Sequence, residues 1–338
     1  MTAFIYFLKL TLSAVDTMAI IETHNLTKRF EKLTAVDKLN LKIEEGEIFG
    51  LLGPNGAGKT TTLSMLATLQ KPTEGHATVN GFDVKTQSSE VRRCIGFVFQ
   101  DPSSDELLTG RENLYLHALM YGIDMRNINR KMDEVLKLVD LTDKQNQKMK
   151  TYSGGMRRRL ELARGLLHEP KILFLDEPTL GLDPQTRQHL WAYIKKLSVE
   201  RKVTVIITTH YMDEADMLCD RVAIIDHGKI AALDTPANLK KKIGGDVVRL
   251  SVEKPNIAAV KKLKFVKHVQ NADGILVLTV DDAGKHLQSI LKAVGSVENV
   301  ETRKPTLNDV FLHYTGNEIR DETGNEDFFE KMMHTGNR

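Results

Sequence analysis

A chain of 338 residues is long enough for two domains, each with its own core. Its formal charge of +2 leaves no large electrostatic footprint for a polyanion, which argues against nucleic acid as the main partner. Cys94 and Cys219 lie far apart without metal-ligand spacing and read as free thiols of a reducing cytoplasm.

Residues 1–17 differ from the rest. Their apolar stretches, 4–8 and 10–15, are broken by Lys9 and closed by Asp16. They are too short to span a bilayer and lack the basic start of a secretory leader. The expectation is that translation begins at Met18, with a membrane-touching amphipathic segment as the alternative. From Ile20 to about Leu233, strand-like apolar runs alternate with helical patterns, which predicts an α/β core with a mainly parallel sheet.

Within it, Gly53-Pro54-Asn55-Gly56-Ala57-Gly58-Lys59-Thr60 fits the pattern G-x-x-x-x-G-K-[ST] in full. The run 48–52 reads as a strand before it, and Leu63, Leu66 and Ala67 recur at helical spacing after it. Glycines let successive backbone N–H groups turn inward at a phosphate, at the positive end of the following helix. Lys59 supplies a cation to the β/γ oxygens, and the Thr60 hydroxyl is placed to ligate a bridging Mg²⁺.

Residues from about 103 to 150 are helical in pattern, at 113–121 and 132–139, and read as a helical insertion. Next comes Tyr152-Ser153-Gly154-Gly155-Met156. Ser153 stands where an N-cap would, so its hydroxyl and the amides of Gly154 and Gly155 make a second anion site. The adjoining residues, Arg157-Arg158-Arg159, read as a solvated helix face. The apolar run 171–175 is expected to be a strand buried on both faces, ending in Asp176 and Glu177. Asp176 is placed to hold Mg²⁺ through water, and Glu177 to accept a proton from an attacking water. A second buried strand at 203–207 runs into Thr208-Thr209-His210, on the edge where α/β sheets bind ligands, so His210 could reach a γ-phosphate.

After Pro236 and Lys240-Lys241-Lys242 the character changes at Gly244-Gly245. Strands at 247–252, 266–270, 275–280 and 297–302, with helices at 257–263 and around 287–294, give the order β-α-β-β-α-β, with a hairpin around Asp273-Gly274. This part carries no catalytic constellation. The tail from Asn317 is polar and is expected to fray.

Two phosphate-binding elements in one chain, with the acidic pair and His210, resemble the ATP-binding cassette of ABC ATPases. The resemblance implies that Phe30, in Lys28-Arg29-Phe30-Glu31, is an aromatic platform for adenine, and that nucleotide contacts run from Gly53 through Thr61. It makes Gln100, in Val98-Phe99-Gln100-Asp101-Pro102, the loop glutamine that senses Mg²⁺ and the attacking water. Asp183, in Gly181-Leu182-Asp183-Pro184, matches the loop that crosses a dimer interface, and His210 matches the switch histidine. Ser153, Gly154 and Gly155 would complete the nucleotide site of the opposing subunit. Tyr152 and Met156 depart from the commoner Leu and Gln, so a contact made by that glutamine side chain is lost.

The runs 100–103, 107–114, 152–161 and Pro305-Thr306-Leu307-Asn308-Asp309-Val310-Phe311 narrow the likeness to daunorubicin-resistance-type ATP-binding subunits. This likeness implies a P-loop ABC cassette at 18–240, a small α+β ferredoxin-like domain at 245–316 and a polar tail at 317–338. It also implies ATP and Mg²⁺ as cofactors, a second cassette (a homodimer), and a separate integral membrane permease. The chain would then sit on the cytoplasmic face of the membrane and energise export of drugs or other hydrophobic compounds. The alternatives are a soluble ABC ATPase switch of DNA repair or translation, and a nucleotide-sensing regulator. About fifty residues between Gln100 and Ser153 leave no room for the long coiled coil of repair types, and one phosphate loop excludes the two-cassette translation types.

Overall fold

The computed structural model describes residues 19–315, apart from 254, 273 and the side chain of 272. The expectations for residues 1–17 and the polar tail lie outside the described residues, as does Asp273 of the expected hairpin.

Two sheets form the first body. Strands β1 (Ala19–Phe30), β2 (Leu33–Glu44), β4 (Glu74–Val79) and β5 (Phe82–Asp83) make an antiparallel sheet in the order β2-β1-β4-β5. The second sheet runs β10-β9-β3-β8-β7-β6. In it β6 (Ile95–Val98), β7 (Ile172–Asp176), β8 (Thr204–Thr209), β3 (Ile48–Leu52) and β9 (Arg221–Asp226) are parallel, and β10 (Lys229–Asp234) is the antiparallel edge. Every residue of β3, β7 and β8 is buried, as befits strands covered by layers on both faces.

Side chains alternate between two cores. Leu52, Leu173, Leu175, Val205 and Ile207 enter one, whereas Phe49, Leu51, Phe174 and Ile206 enter the other. Register pairs Leu52 with Thr209 and Asp176 with Thr208, so the carboxyl ends of β3, β7 and β8 meet at one edge. The antiparallel sheet was not separable from the parallel one by pattern. Register shifts in β1 between Thr23 and Arg29 interrupt the alternation that would mark it.

Helices α1 (Lys59–Leu66) and α2 (Ser88–Cys94) precede the insertion, which consists of α3 (Gly110–Met120) and α4 (Met125–Leu138) and leads into α5 (Gly154–Leu166). Helix α3 starts earlier than its apolar spacing suggests, because Thr109 and Glu112 form a reciprocal capping box. Ile128, Met132, Val135 and Leu136 of α4 join the first core. Helices α6 (Pro184–Arg201), α7 (Met212–Leu218) and α8 (Pro236–Ile243) complete this body.

The last sheet holds β11 (Asp246–Ser251), β12 (Val266–Ala272), β13 (Ile275–Val280) and β14 (Asn299–Arg303) in the antiparallel order β12-β13-β11-β14. With α9 (Ile257–Lys261) and α10 (Ala283–Val294) it follows the β-α-β-β-α-β order of a ferredoxin-like unit and has its own core. Helix α11 (Leu307–Thr315) then returns to the first body. Its Leu307, Val310 and Phe311 are buried in the same core as α4, and burying the Phe311 ring alone contributes about 2–3 kcal/mol. No helix among the described residues is long and apolar enough to cross a membrane.

Candidate active site

The phosphate loop links β3 to α1, and two of its glycines are required by backbone geometry. Gly58 caps α1 at φ 101°, where a Cβ would lie 2.4 Å from the Ala35 carbonyl. A Cβ on Gly53 would lie 2.2 Å from the Ile225 carbonyl. The Gly53 N–H donates to the Thr209 carbonyl (3.2 Å), which fastens this loop to the end of β8. Pro54, Asn55 and Gly56 form the outer turn, Ala57 is buried, and Thr61 is half-buried in the first turn of α1.

Five predicted residues come together here. Lys59, only 4% exposed, donates to the Gly53 and Pro54 carbonyls (2.8 and 3.1 Å) and lies 3.2 Å from Glu177 Oε1. His210 Nδ1 is 3.1 Å from Glu177 Oε2, although the ring nitrogen is not aligned as a hydrogen bond. Thr60 Oγ1 donates to Asp176 Oδ1 at 3.0 Å. Glu177 itself sits at φ 43°, a left-handed conformation that is strained for a non-glycine residue and recurs at functional sites.

Burial dominates the electrostatics. It pushes the Lys59 ammonium down, with Glu177 and Asp176 pulling it partly back, and it pushes the Asp176 carboxyl up. For Glu177 burial is again the largest single influence and upward, but the contacts with His210 and Lys59 together outweigh it, leaving the carboxyl below its ordinary value.

Other predicted residues lie around this cluster. Phe30 pairs with Leu33 at the tip of the β1–β2 hairpin, and Leu33 is two residues before Ala35, whose carbonyl packs against Gly58. The residue is 41% exposed, and Lys28 Nζ lies 4.9 Å from the centre of its ring. Gln100 is exposed, and its carbonyl accepts from Arg158. Ser153 is the N-cap of α5, accepting from the Met156 N–H at 3.3 Å. A Cβ on Gly155 would stand 2.4 Å from Thr186 Cγ2, so the start of α5 is packed on the start of α6. Asp183 caps α6, accepting from the Thr186 N–H and hydroxyl (3.0 and 2.6 Å). Among the described residues no hydrogen bond or ion pair joins Ser153 to Lys59, Glu177 or His210.

The arginine run is a correction. Arg158 is buried, not part of a solvated face. It donates to the carbonyls of Pro178 (2.6 Å), Asp176 (2.9 Å), Gln100 (3.2 Å) and Phe99, joining the glutamine loop to the acidic strand end. Burial pushes its guanidinium down to about 10, so it stays charged at neutral pH. Arg157 and Arg159 also bond carbonyls, those of Tyr152 and of Val139 and Asp140. Arg158→Met keeps the stem but strands these acceptors, and is expected to cost about 3–5 kcal/mol in urea denaturation. A midpoint within error of the wild type would refute this.

Sequence reasoning also passed over Thr208, whose hydroxyl accepts from the Glu177 N–H (2.9 Å) and donates to Asp176 Oδ1 (2.5 Å), holding both acids. Tyr152 proves to be a core residue, with its hydroxyl donating to the Lys144 carbonyl at 2.8 Å.

A phosphate loop, an acidic strand end and a histidine on one sheet edge define an ATPase cassette. The ABC transporter family signature matches residues 36–180, and that of the C-terminal domain of DrrA1-3-like ATP-binding proteins matches 235–315. Daunorubicin resistance ATP-binding protein DrrA3 of Streptomyces coeruleorubidus is 40% identical over 87% of this chain and 95% of its own length. Linearmycin resistance ATP-binding protein LnrL of Bacillus subtilis is 35% identical over 89% of this chain and 100% of its own. The dimeric, post-hydrolysis structure of the ATP-binding cassette MJ0796 bound to ADP and Pi superposes with a TM-score of 0.58 at 31% identity, covering 64% of this chain and 98% of that one. The chain belongs to the ABC transporter ATP-binding proteins, in their daunorubicin-resistance-type branch. It is an ATP-binding, ATP-hydrolysing subunit of the exporter class.

Proposed function

We propose that the chain works as one of two cassettes that together drive a separate membrane permease, exporting drugs or other hydrophobic compounds. The observation that carries this reading is the cluster at the sheet edge: Lys59 and His210 flank Glu177 while Thr60 meets Asp176. The cargo class rests on the relatives' names, which speak of resistance to linearmycin and daunorubicin. Attachment to the membrane then comes through the permease, on the cytoplasmic side.

In this reading residues 53–61 cradle the triphosphate, with Lys59 leaving its loop carbonyls for phosphate oxygens, and Phe30 stacks on adenine. The hard oxygens of Thr60 and Asp176 suit Mg²⁺, directly and through water, with Gln100 as a further contact. When bound, that ion neutralises charge on the phosphate oxygens. Glu177 takes a proton from the water that attacks the γ-phosphoryl group, giving ADP and inorganic phosphate, and His210 orients the reacting phosphate. Ser153, Gly154 and Gly155 of one copy close over the nucleotide of the other, with Asp183 at the shared interface. A soluble switch or a nucleotide sensor would share this chemistry without the permease.

Co-purification from native membranes tests the partner: a multi-span protein retained with the chain supports transport, and its consistent absence favours the soluble alternatives. Lys59→Ala tests the cradle. It removes one charge-assisted contact and should weaken ATP binding about 10- to 100-fold in a titration. Unaltered affinity would remove Lys59 from the phosphate site.

A further inference from the structure

Helix α6 and the segment after His210 are joined by two contacts one helical turn apart. The Arg187 guanidinium lies 4.2 Å from the Tyr211 ring centre and 3.7 Å from Asp213. Four residues on, the Trp191 indole N–H donates to Glu214 Oε1 at 3.0 Å. Glu214 is fully buried, where a carboxyl without partners is costly. Burial pushes it up and the nearby Thr209, Trp191 and Thr179 side chains pull it back, but only Trp191 hydrogen-bonds the carboxyl: among the described residues Glu214 Oε2 and the Thr179 hydroxyl have no hydrogen-bond partner.

Glu214 lies four residues after His210, so its bond to Trp191 ties the segment behind the reactive cluster to α6. Thr209 precedes His210; its carbonyl holds the Gly53 N–H and its hydroxyl the Tyr211 N–H at 2.9 Å. Thr179 lies two residues after Glu177, and its carbonyl takes the N–H of Leu182, the neighbour of Asp183 (3.1 Å). The segment bearing His210 is therefore tied to the helix that Asp183 caps through one buried carboxyl outside the set assigned to ATP.

We propose that Glu214 and Trp191 are positioning residues for hydrolysis, locking the segment that carries His210 onto the helix that Asp183 caps. The spacing of 3.1 Å between His210 and Glu177 is then held from behind, and the partner-facing end of α6 moves with it. The inference rests on the roles given to His210 and Glu177 under Proposed function.

A pair that served packing alone could be exchanged for apolar residues of similar shape at little cost, since removing both partners of a buried hydrogen bond is nearly neutral. The double variant Trp191→Phe/Glu214→Leu should accordingly fold, keep its ATP affinity within about twofold, and lose about tenfold in kcat. Glu214→Gln, which preserves the acceptor for the indole, should recover most of that loss. His210→Ala, measured alongside, separates two failures. Wild-type kcat in the double variant beside a slow His210→Ala overturns the lock and leaves the role of His210 standing. Wild-type kcat in His210→Ala overturns both. Equal losses of affinity and kcat in the double variant, or no recovery with Glu214→Gln, also overturn the positioning role.

Discussion

Glu177→Gln is expected to lower ATP turnover by about 10²- to 10⁴-fold while ATP stays bound and the two-cassette form accumulates. Glutamine keeps the size of the side chain and can still accept from Lys59, but it cannot take a proton from water. Lys59 divides its donors among Glu177 and two loop carbonyls. A triphosphate competes for that ammonium. Once Lys59 turns to phosphate, Glu177 loses one of the contacts that hold its carboxyl down, and burial, its largest single influence, raises its basicity. On the role proposed for Glu177, the base would then strengthen as substrate arrives, from a backbone held at a strained φ of 43°. Single-turnover assays and size-exclusion chromatography with Mg-ATP check both parts. Unchanged turnover removes Glu177 from the base role; slow turnover without the accumulated pair leaves the base in place and contradicts closure.

The residues of this cluster were legible because short-range spacing encodes them. A phosphate loop is eight consecutive positions, and Asp176-Glu177 end an unbroken apolar run. The β-α-β-β-α-β order of the last sheet was equally readable, since each element there carries its own period. What escaped is non-local. Three adjacent arginines look solvated in a string, yet Arg158 is buried because carbonyls from the 99–100 loop and from 176 and 178 converge on it. Trp191 and Glu214 become partners only when α6 and α7 pack, and neither belongs to a motif. Phe311 was noticed through a resemblance, whereas its place in the core of the first body depends on α11 folding back.

Ser153→Arg should abolish steady-state hydrolysis while each chain still binds ATP. The substitution leaves residues 53–61, Asp176 and Glu177 intact, and Ser153 has no bond to Lys59, Glu177 or His210 of its own chain among the described residues. Its structural cost is the lost cap of α5, about 1 kcal/mol, too little to unfold a domain. What changes is the surface at the start of α5, beside Leu182 and Thr186 of the Asp183 segment, where a long cation replaces a hydroxyl. If a partner's nucleotide sits there, two inactive proteins can restore each other. In a mixed dimer of Ser153→Arg and Lys59→Ala, one site takes its phosphate loop from the first chain and its Ser153 from the second, and is whole. Equimolar mixing should recover about a quarter of the wild-type rate if one whole site suffices, because half the dimers are mixed and half their sites are intact. Full activity of Ser153→Arg alone would refute the shared site. Failure of the mixture to regain activity, with both proteins folded, would mean either that each chain completes its own site or that both sites of a dimer must be whole.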